Sequence, residues 1–456
     1  MAQPPSNRPG DPRDPGDEPD DSDHSSGRGQ NPFAGTPLEQ LFSAFGSGQG
    51  AGGAAAIPDL SALMAQVQRM LTPYDGNVNW TLAKETARAA VAQSSDPTPT
   101  SADQQAVAEA VRLAELWLDA ACRFGSGAGR TAAWSRAEWI EATMPVWEQI
   151  VEPVAGSVTA AMQQALPEEV RTVAGPMMAL LGQAGGSMFG AQVGQAVGAL
   201  AGEVVSSTDV GIPLTSGDVA ALVPVNAAAF GAGLGCEPSD VLLYLALREC
   251  AHQRLFRHVP WLRARLMGAV GDYARGTTID VSRVEQSLSS LDPTNLEAVQ
   301  EAMSGGLFEP ERTPEQQAAL DRLETLLALV EGWVDEVVGQ ATQERMPAAA
   351  SLREAVRRRR AAGGPAEQTF ASLVGLELRP RRLRDAATLW GAMRDAHGVD
   401  ARDAVWAHPD LMPTATDLDD PLGFAADGAE AGDAPTSEEF DEALARLLDE
   451  GGESKA

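Results

Sequence analysis

The chain has 456 residues but only three cysteines and two lysines, and each shortage excludes a class of protein. Cys122, Cys236 and Cys250 are far apart and odd in number, so they provide neither a disulfide framework nor a CxxC metal knuckle. The N-terminus lacks the basic start and the apolar run of a secretory signal. We therefore expect a protein of the reducing cytoplasm.

Positive charge is also scarce, because 34 Lys and Arg stand against 64 Asp and Glu, for a net charge of -30. Such a surface repels nucleic acid and anionic lipid, so neither is an expected partner. A peptide or small-molecule substrate remains possible. The surplus of arginine in 351–394 has no interleaved aromatic residues. We interpret it as docking onto acidic parts of the same chain, or as a solvated face.

The most apolar stretch, 177–205, carries glycine at every fourth position from Gly182 to Gly202. Repeats of this kind let helix backbones approach closely and are familiar in membrane spans. Gln183 and Glu203 interrupt the stretch, and no Lys or Arg cluster flanks it. A buried helix packed tightly against another element is therefore favoured over a membrane span.

The pattern along the chain predicts one folded body between two disordered ends. Residues 1–56 are rich in Pro, Gly, Asp and Ser, and 425–456 form an acidic tail that could dock onto a partner. Within 57–424, with 44% hydrophobic residues in the whole chain, apolar positions repeat at threes and fours. These repeats predict helices at about 80–93, 101–124, 135–150, 226–234, 262–274, 281–291, 296–303 and from 313 onwards. Segments 210–214 and 219–225 predict a β hairpin. The expected fold is mainly α with a small β hairpin or sheet.

The candidate catalytic and metal-binding residues lie on one predicted helix and its exit, residues 245–262, which read LALRECAHQRLFRHVPWL. Arg248, Glu249, His252 and His258 have the spacing of the zinc-peptidase pattern HExxHxxGxxH, with Arg in place of the first His. In the intact pattern the two histidines lie one turn apart and bind one metal, and the Glu activates the metal-bound water. The spacing puts Glu249 at the general base, His252 at the second ligand and His258 at the third.

Two departures weaken the case for zinc. Arg248 has no free lone pair and its charge repels a cation, and Leu255 replaces the glycine at which the extended pattern turns. A carboxylate from elsewhere would have to complete the site, and Glu331 is our candidate by analogy with zincins whose third ligand is a distant Glu. The alternative is structural: Arg248 and Glu249 form ion pairs, and the histidines are hydrogen-bonded in the interior.

Other catalytic patterns are not supported. A di-iron carboxylate site needs a second Glu-x-x-His pair besides Glu249 and His252, and no other histidine has Glu three residues before it. Cys250 is next to Glu249 in sequence, but a helix directs adjacent side chains apart. Rossmann and P-loop glycine patterns are absent.

Four long segments together resemble one family: YLALRECAHQRLFRHVPWLRARL, SGGLFEPERTPEQQAALDRLETLLALVEGWVD, EQTFASLVGLELRPRRLRDAATLW and DAVWAHPDLMPTATDLDDPLGF. They are similar to the zincin-like hydrolases, which are labelled zinc-dependent metalloproteases, and the resemblance covers 57–424. It implies a zincin-like fold, and it makes Arg248 a family trait because members commonly carry the RExxH form. It also implies that His258 and His408 are recurrent positions, although His408 is equally explained by a capped turn.

Two functions are therefore expected. The first is a metal-dependent hydrolase, similar to a zinc metallopeptidase, with Glu249 and Arg248 at the catalytic centre and His252, His258 and Glu331 around zinc. The second is a catalytically inactive zincin-fold protein that binds a partner or acts as a scaffold, with the same residues in an internal polar network.

Overall fold

The computed structural model describes residues 74–164, 175–215, 218–275, 313–361, 369, 373 and 382–431. The predicted N-terminal region 1–56, the helices expected at 281–291 and 296–303, and most of the acidic tail lie outside this part. The last described helix ends at Ala431, inside the range predicted for that tail.

Twelve helices and one two-stranded sheet form the described part of the chain. The helices are α1 Trp80–Ala92, α2 Ser101–Leu118, α3 Arg136–Gln164, α4 Gly175–Ala201, α5 Pro224–Gly231, α6 Pro238–His258, α7 Pro260–Arg275, α8 Pro314–Thr342, α9 Ala349–Ala361, α10 Leu383–Ala404, α11 Ala415–Asp419 and α12 Pro421–Ala431. The mainly α prediction is confirmed. Some ends differ: the helix expected to reach Phe124 stops at Leu118, and the helix expected to end near residue 150 continues to Gln164.

Local sequence explains where several helices begin. Oγ1 of Thr313 accepts a hydrogen bond from the backbone N–H of Gln316, and Oε1 of Gln316 accepts one from the backbone N–H of Thr313. This reciprocal pair is a capping box. Ser135 and Glu138 exchange the same pair of hydrogen bonds ahead of α3. In each case the side chains satisfy backbone N–H groups that the first turn of a helix leaves without partners.

The glycine repeat lies on α4 and packs against α1. A Cβ on Gly190 would lie 2.5 Å from the carbonyl oxygen of Asn79, and one on Gly194 would lie 2.3 Å from that of Ala83. Only a residue without a side chain allows the two backbones to come this close. The interpretation as a tightly packed helix is confirmed, and none of the described helices is long and apolar enough to cross a membrane.

The predicted hairpin is wrong in its pairing. Strand β2, Val219–Leu222, pairs in parallel with β1, Arg130–Ala133, and not with 210–214. Gly211 has φ +79°, and its N–H closes a turn onto the carbonyl of Thr208. Pro213 has no N–H to donate to a ladder. The segment 210–214 therefore begins in a turn over 208–211 and continues as irregular chain, not as a strand.

Helix α6 lies inside the protein and carries the zinc-like pattern. It contacts α2, α5, α7, α8, α9 and β2. Every residue from Leu243 to Leu255 is buried, including Arg248, Glu249 and His252. Polar and charged groups removed from water must find partners, because an unpaired buried group costs free energy. The partners of these side chains therefore define what the helix can do.

Candidate functional site

Glu331 on α8 is the centre of the first network around the motif helix. Nη2 of Arg248 donates to its Oε2 at 2.6 Å, and Nη2 of Arg360 lies 2.7 Å from its Oε1. Nε2 of His252 lies 3.0 Å from the same Oε1. Burial by itself would raise the pKa of Glu331, but Arg360, His252 and Arg248 outweigh burial and hold that pKa well below its usual range. The carboxylate is therefore ionised and bound at both oxygens.

The hydrogen bonds of His252 use both of its ring nitrogens. Nδ1 lies 2.9 Å from the carbonyl oxygen of Arg248, and Nε2 lies 3.0 Å from Oε1 of Glu331. Both nitrogens therefore already have protein partners, and the side chain is buried.

A shell of arginines from α9 surrounds this network. Arg353 and Arg357 both bind Asp335, and Arg359 binds Asp209 at 2.9 Å. Burial opposes ionisation of Asp335, yet the hydrogen bond and the charge of Arg353 lower its pKa. For these arginines of α9, the interpretation that the basic run docks onto acidic parts of the same chain is confirmed.

Gly211 makes room for the carboxylate of Glu331. A Cβ at this position would lie 2.8 Å from Oε1 of Glu331, and the φ of +79° is one that other residues rarely adopt. The turn that replaces the predicted strand therefore closes one side of the network.

Glu249 belongs to a second network, separate from Glu331. It is fully buried, and its Oε1 accepts from Ser207 Oγ at 2.5 Å and from Gln253 Nε2 at 2.8 Å. Its Oε2 accepts from the hydroxyl of Thr208 at 2.6 Å and from the Thr208 backbone N–H at 3.1 Å. Four protein donors therefore occupy the lone pairs with which the Glu249 carboxylate would accept a proton from water.

His258 lies at the exposed C-terminal end of α6, away from Glu331. Six residues on a helix separate it from His252 by about 120° around the axis and about 9 Å along it. Its Nδ1 lies 3.0 Å from the carbonyl of Arg254, and its ring stacks on Phe124 with centroids 5.7 Å apart. The helix does not turn at Leu255, so the structure brings His252 to Glu331 but leaves His258 elsewhere.

His408 has a structural partner. Its Nδ1 accepts a hydrogen bond from the backbone N–H of Asp410 at 3.2 Å and caps a short 3-10 turn over Pro409–Leu411. This is the capped turn that the sequence offered as the alternative explanation of His408.

Comparison with known proteins supplies the family. The model of the zincin-like metallopeptidase family matches residues 78–425. The chain belongs to this family. A crystal structure of a candidate hydrolase with a novel fold, from Chloroflexus aurantiacus, is 20% identical, covers 76% of this chain and 98% of that chain, and has a TM-score of 0.54. At that identity the likeness shows a shared fold alone. No curated protein matches this zincin-like chain.

The residues of the motif do not fit the zinc ion that the zincin-like family implies. A zinc ligand must offer a free lone pair, which Arg248 lacks, and both ring nitrogens of His252 are already hydrogen-bonded within the protein. Both oxygens of Glu331 face guanidinium groups. Over the described ranges, no group of three or more His, Cys, Asp or Glu side chains is arranged to hold a metal ion.

The hydrogen-bonding partners of Glu331 and Glu249 in this zincin-like protein were not predicted from the sequence. Arg360 was visible only as part of a basic run, with no signal that it reaches Glu331. Ser207 and Thr208 lie in a loop without a motif. Gln253 had a readable signal, because a residue four positions after Glu249 shares its helix face.

Proposed function

We propose that this chain is a zincin-fold binding protein in which the motif helix is held by a buried ionic network and does not hold catalytic zinc. The observation that carries the proposal is the carboxylate of Glu331, bound by Arg248 and Arg360 at opposite oxygens. Breaking a buried ion pair costs about 3–5 kcal/mol, because it leaves a charge without compensation. A zinc ion would have to displace two guanidinium groups from Glu331 and come between His252 and the same carboxylate.

The environment of Glu249 supports the same proposal. A general base must reach a water molecule and accept its proton. Glu249 is 0% exposed, and four protein donors occupy it. Its arrangement suits a residue that fixes the loop of Ser207 and Thr208 against α6.

Metal analysis of the full chain tests this function. The protein is purified without an affinity tag, incubated with excess zinc and dialysed, and zinc is measured by mass spectrometry. We expect far less than one zinc per chain and the same melting temperature with and without chelator. Stoichiometric zinc that disappears in His252→Ala would overturn the proposal.

A metal-dependent hydrolase is the second candidate. The family match and the distance of 3.0 Å between His252 and Glu331 favour it. This function requires Arg248 and Arg360 to leave Glu331. Chelator-sensitive cleavage of a peptide mixture, lost in Glu249→Gln and accompanied by stoichiometric zinc, would establish it in place of the binding function.

We also propose the cytoplasm as the compartment. Cys122, Cys236 and Cys250 are all free thiols in the structure, and Cys122 and Cys250 are buried. Burial raises the pKa of the Cys122 thiol and that of the Cys250 thiol. Free, unreactive thiols are usual in a reducing compartment.

A further inference from the structure

A second feature of α6 is a cavity beside the Glu249 network. Its volume is about 320 Å³, which is at the lower end of the range for small-molecule sites. Thr208 and Gln253, two of the donors to Glu249, form part of its wall. The other lining residues are Gly127, Pro213, Thr215, Asp218, Phe256, Arg257 and Arg263.

The two arginines of this cavity differ in their partners. Nη1 of Arg257 pairs with Oδ2 of Asp218 at 2.9 Å, and both side chains are exposed. Nη1 of Arg263 donates to the carbonyl of Thr215 at 2.7 Å, and no carboxylate within the described ranges lies within ion-pairing distance of Arg263. Arg263 is half-buried, so its charge is partly removed from water without compensation.

The electrostatics of Arg263 agree with this geometry. Burial lowers the pKa of its guanidinium, and no carboxylate contributes an opposing effect. The chain carries 64 acidic residues for 34 basic ones, so pairing partners for arginine are plentiful. A cationic side chain that faces a cavity and has no acidic partner is suited to an anion from outside the protein.

We propose that this cavity binds a small organic monocarboxylate, with the carboxylate on Arg263 and an apolar group against Phe256 and Pro213. The inference rests on the proposed binding function, since it names the ligand of a site built on the same helix. Arg263, which has no carboxylate partner among the described residues, matches one negative charge, and the planar fork of arginine matches a carboxylate. The nearby carboxylate of Asp218 disfavours a dianion such as a phosphate monoester.

Calorimetric titration of the full chain tests the cavity with a matched pair of probes. N-acetylphenylalanine carries the carboxylate and an aromatic ring, and N-acetylphenylalaninamide is its neutral counterpart. We expect the acid to bind about tenfold or more tightly than the amide, because a charge-assisted hydrogen bond contributes to the acid alone. Arg263→Gln should remove this preference, and Arg263→Lys should keep part of it. Circular dichroism and a melting curve confirm that each variant is folded.

Arg265→Gln is the matched control. Arg265 lies on α7 two residues after Arg263, is exposed and lines a different cavity, so its loss should leave the preference for the acid unchanged. Equal binding of acid and amide, no binding of either, or a preference retained in Arg263→Gln would each overturn the proposal. Zinc is measured on the same sample. A zinc-free protein without the preference contradicts the carboxylate site alone, whereas stoichiometric zinc contradicts the proposed binding function.

Discussion

Nη2 of Arg248 lies 2.6 Å from Oε2 of Glu331, and both side chains are buried. Arg248 occupies the position of the first histidine of a zinc motif, and it binds the carboxylate that we predicted from the sequence as a zinc ligand. Together with Arg360, it brings two positive charges to Glu331, which is the charge of a zinc ion. The guanidinium groups thus supply the positive charge that compensates Glu331 in this family member.

Removal of the central carboxylate should destabilise the protein strongly. Glu331→Gln removes the carboxylate that pairs with buried Arg248 and with partly buried Arg360, and we expect a loss of about 3 kcal/mol in the free energy of unfolding. Urea denaturation measures it. Glu354→Gln is the control, because the pair of Glu354 with Arg358 is exposed and should cost less than about 1 kcal/mol. Equal losses in the two variants would contradict the network.

Stability should fall in acid because of the same carboxylate. The folded-state pKa of Glu331 lies below its ordinary value of 4.5. The contribution of ionised Glu331 to folding stability is therefore complete above that value. It is lost as the pH falls towards the folded-state pKa, because Glu331 is protonated at a higher pH in the unfolded chain than in the folded protein. Asp335, whose pKa is also lowered, acts in the same direction. Unfolding free energies measured from about pH 6 to about pH 3 should fall less steeply in Glu331→Gln. Parallel slopes would exclude Glu331 as the cause.

Restoring the histidine should not be enough to create a zinc site. In Arg248→His, Arg360 still binds Oε1 of Glu331, so we expect no stoichiometric zinc. The double variant Arg248→His with Arg360→Gln frees the carboxylate and should gain zinc, as measured by mass spectrometry after dialysis.

Arg248→His with Arg358→Gln is the control for the double variant, because Arg358 is on the same helix but has a side chain 69% exposed. It should remain zinc-free. Full zinc binding by Arg248→His alone would show that Arg360 does not block the site.

Alanine substitutions at two glycines of the α4 repeat should have opposite effects on stability, because only one of these glycines packs against α1. Gly194→Ala forces a Cβ onto the carbonyl of Ala83 and should destabilise by about 1–3 kcal/mol. Gly182→Ala adds a Cβ where nothing lies within 4 Å, so it should stabilise by about 0.5–1 kcal/mol through the lower entropy of the unfolded chain. Thermal unfolding of the two variants checks the difference. Equal shifts would mean that the close packing of α4 is not what the repeat provides.

Features that depend on residues close together in the chain, such as helix starts and single strands, could be predicted from the sequence. The capping box at Thr313 and Gln316 marks the start of α8, and the glycine spacing marks a helix with one flat face. The strand-like composition of 219–225 also predicted β2, because composition is a local property of the sequence. The partner strand predicted for β2 was wrong, because strand pairing depends on which other strand the surrounding helices place beside it.

The chemistry of the motif depends on contacts between distant parts of the chain. Arg248 and Glu331 are 83 residues apart in the chain, and Arg360 joins them from a third helix. Glu331 was selected by analogy as a zinc ligand, and the structure does bring it to His252, but with both oxygens bound by arginine. A spacing pattern shows which side chains share a helix face. It cannot show which charges the packing of other helices brings to that face, and those charges determine whether a metal ion can bind.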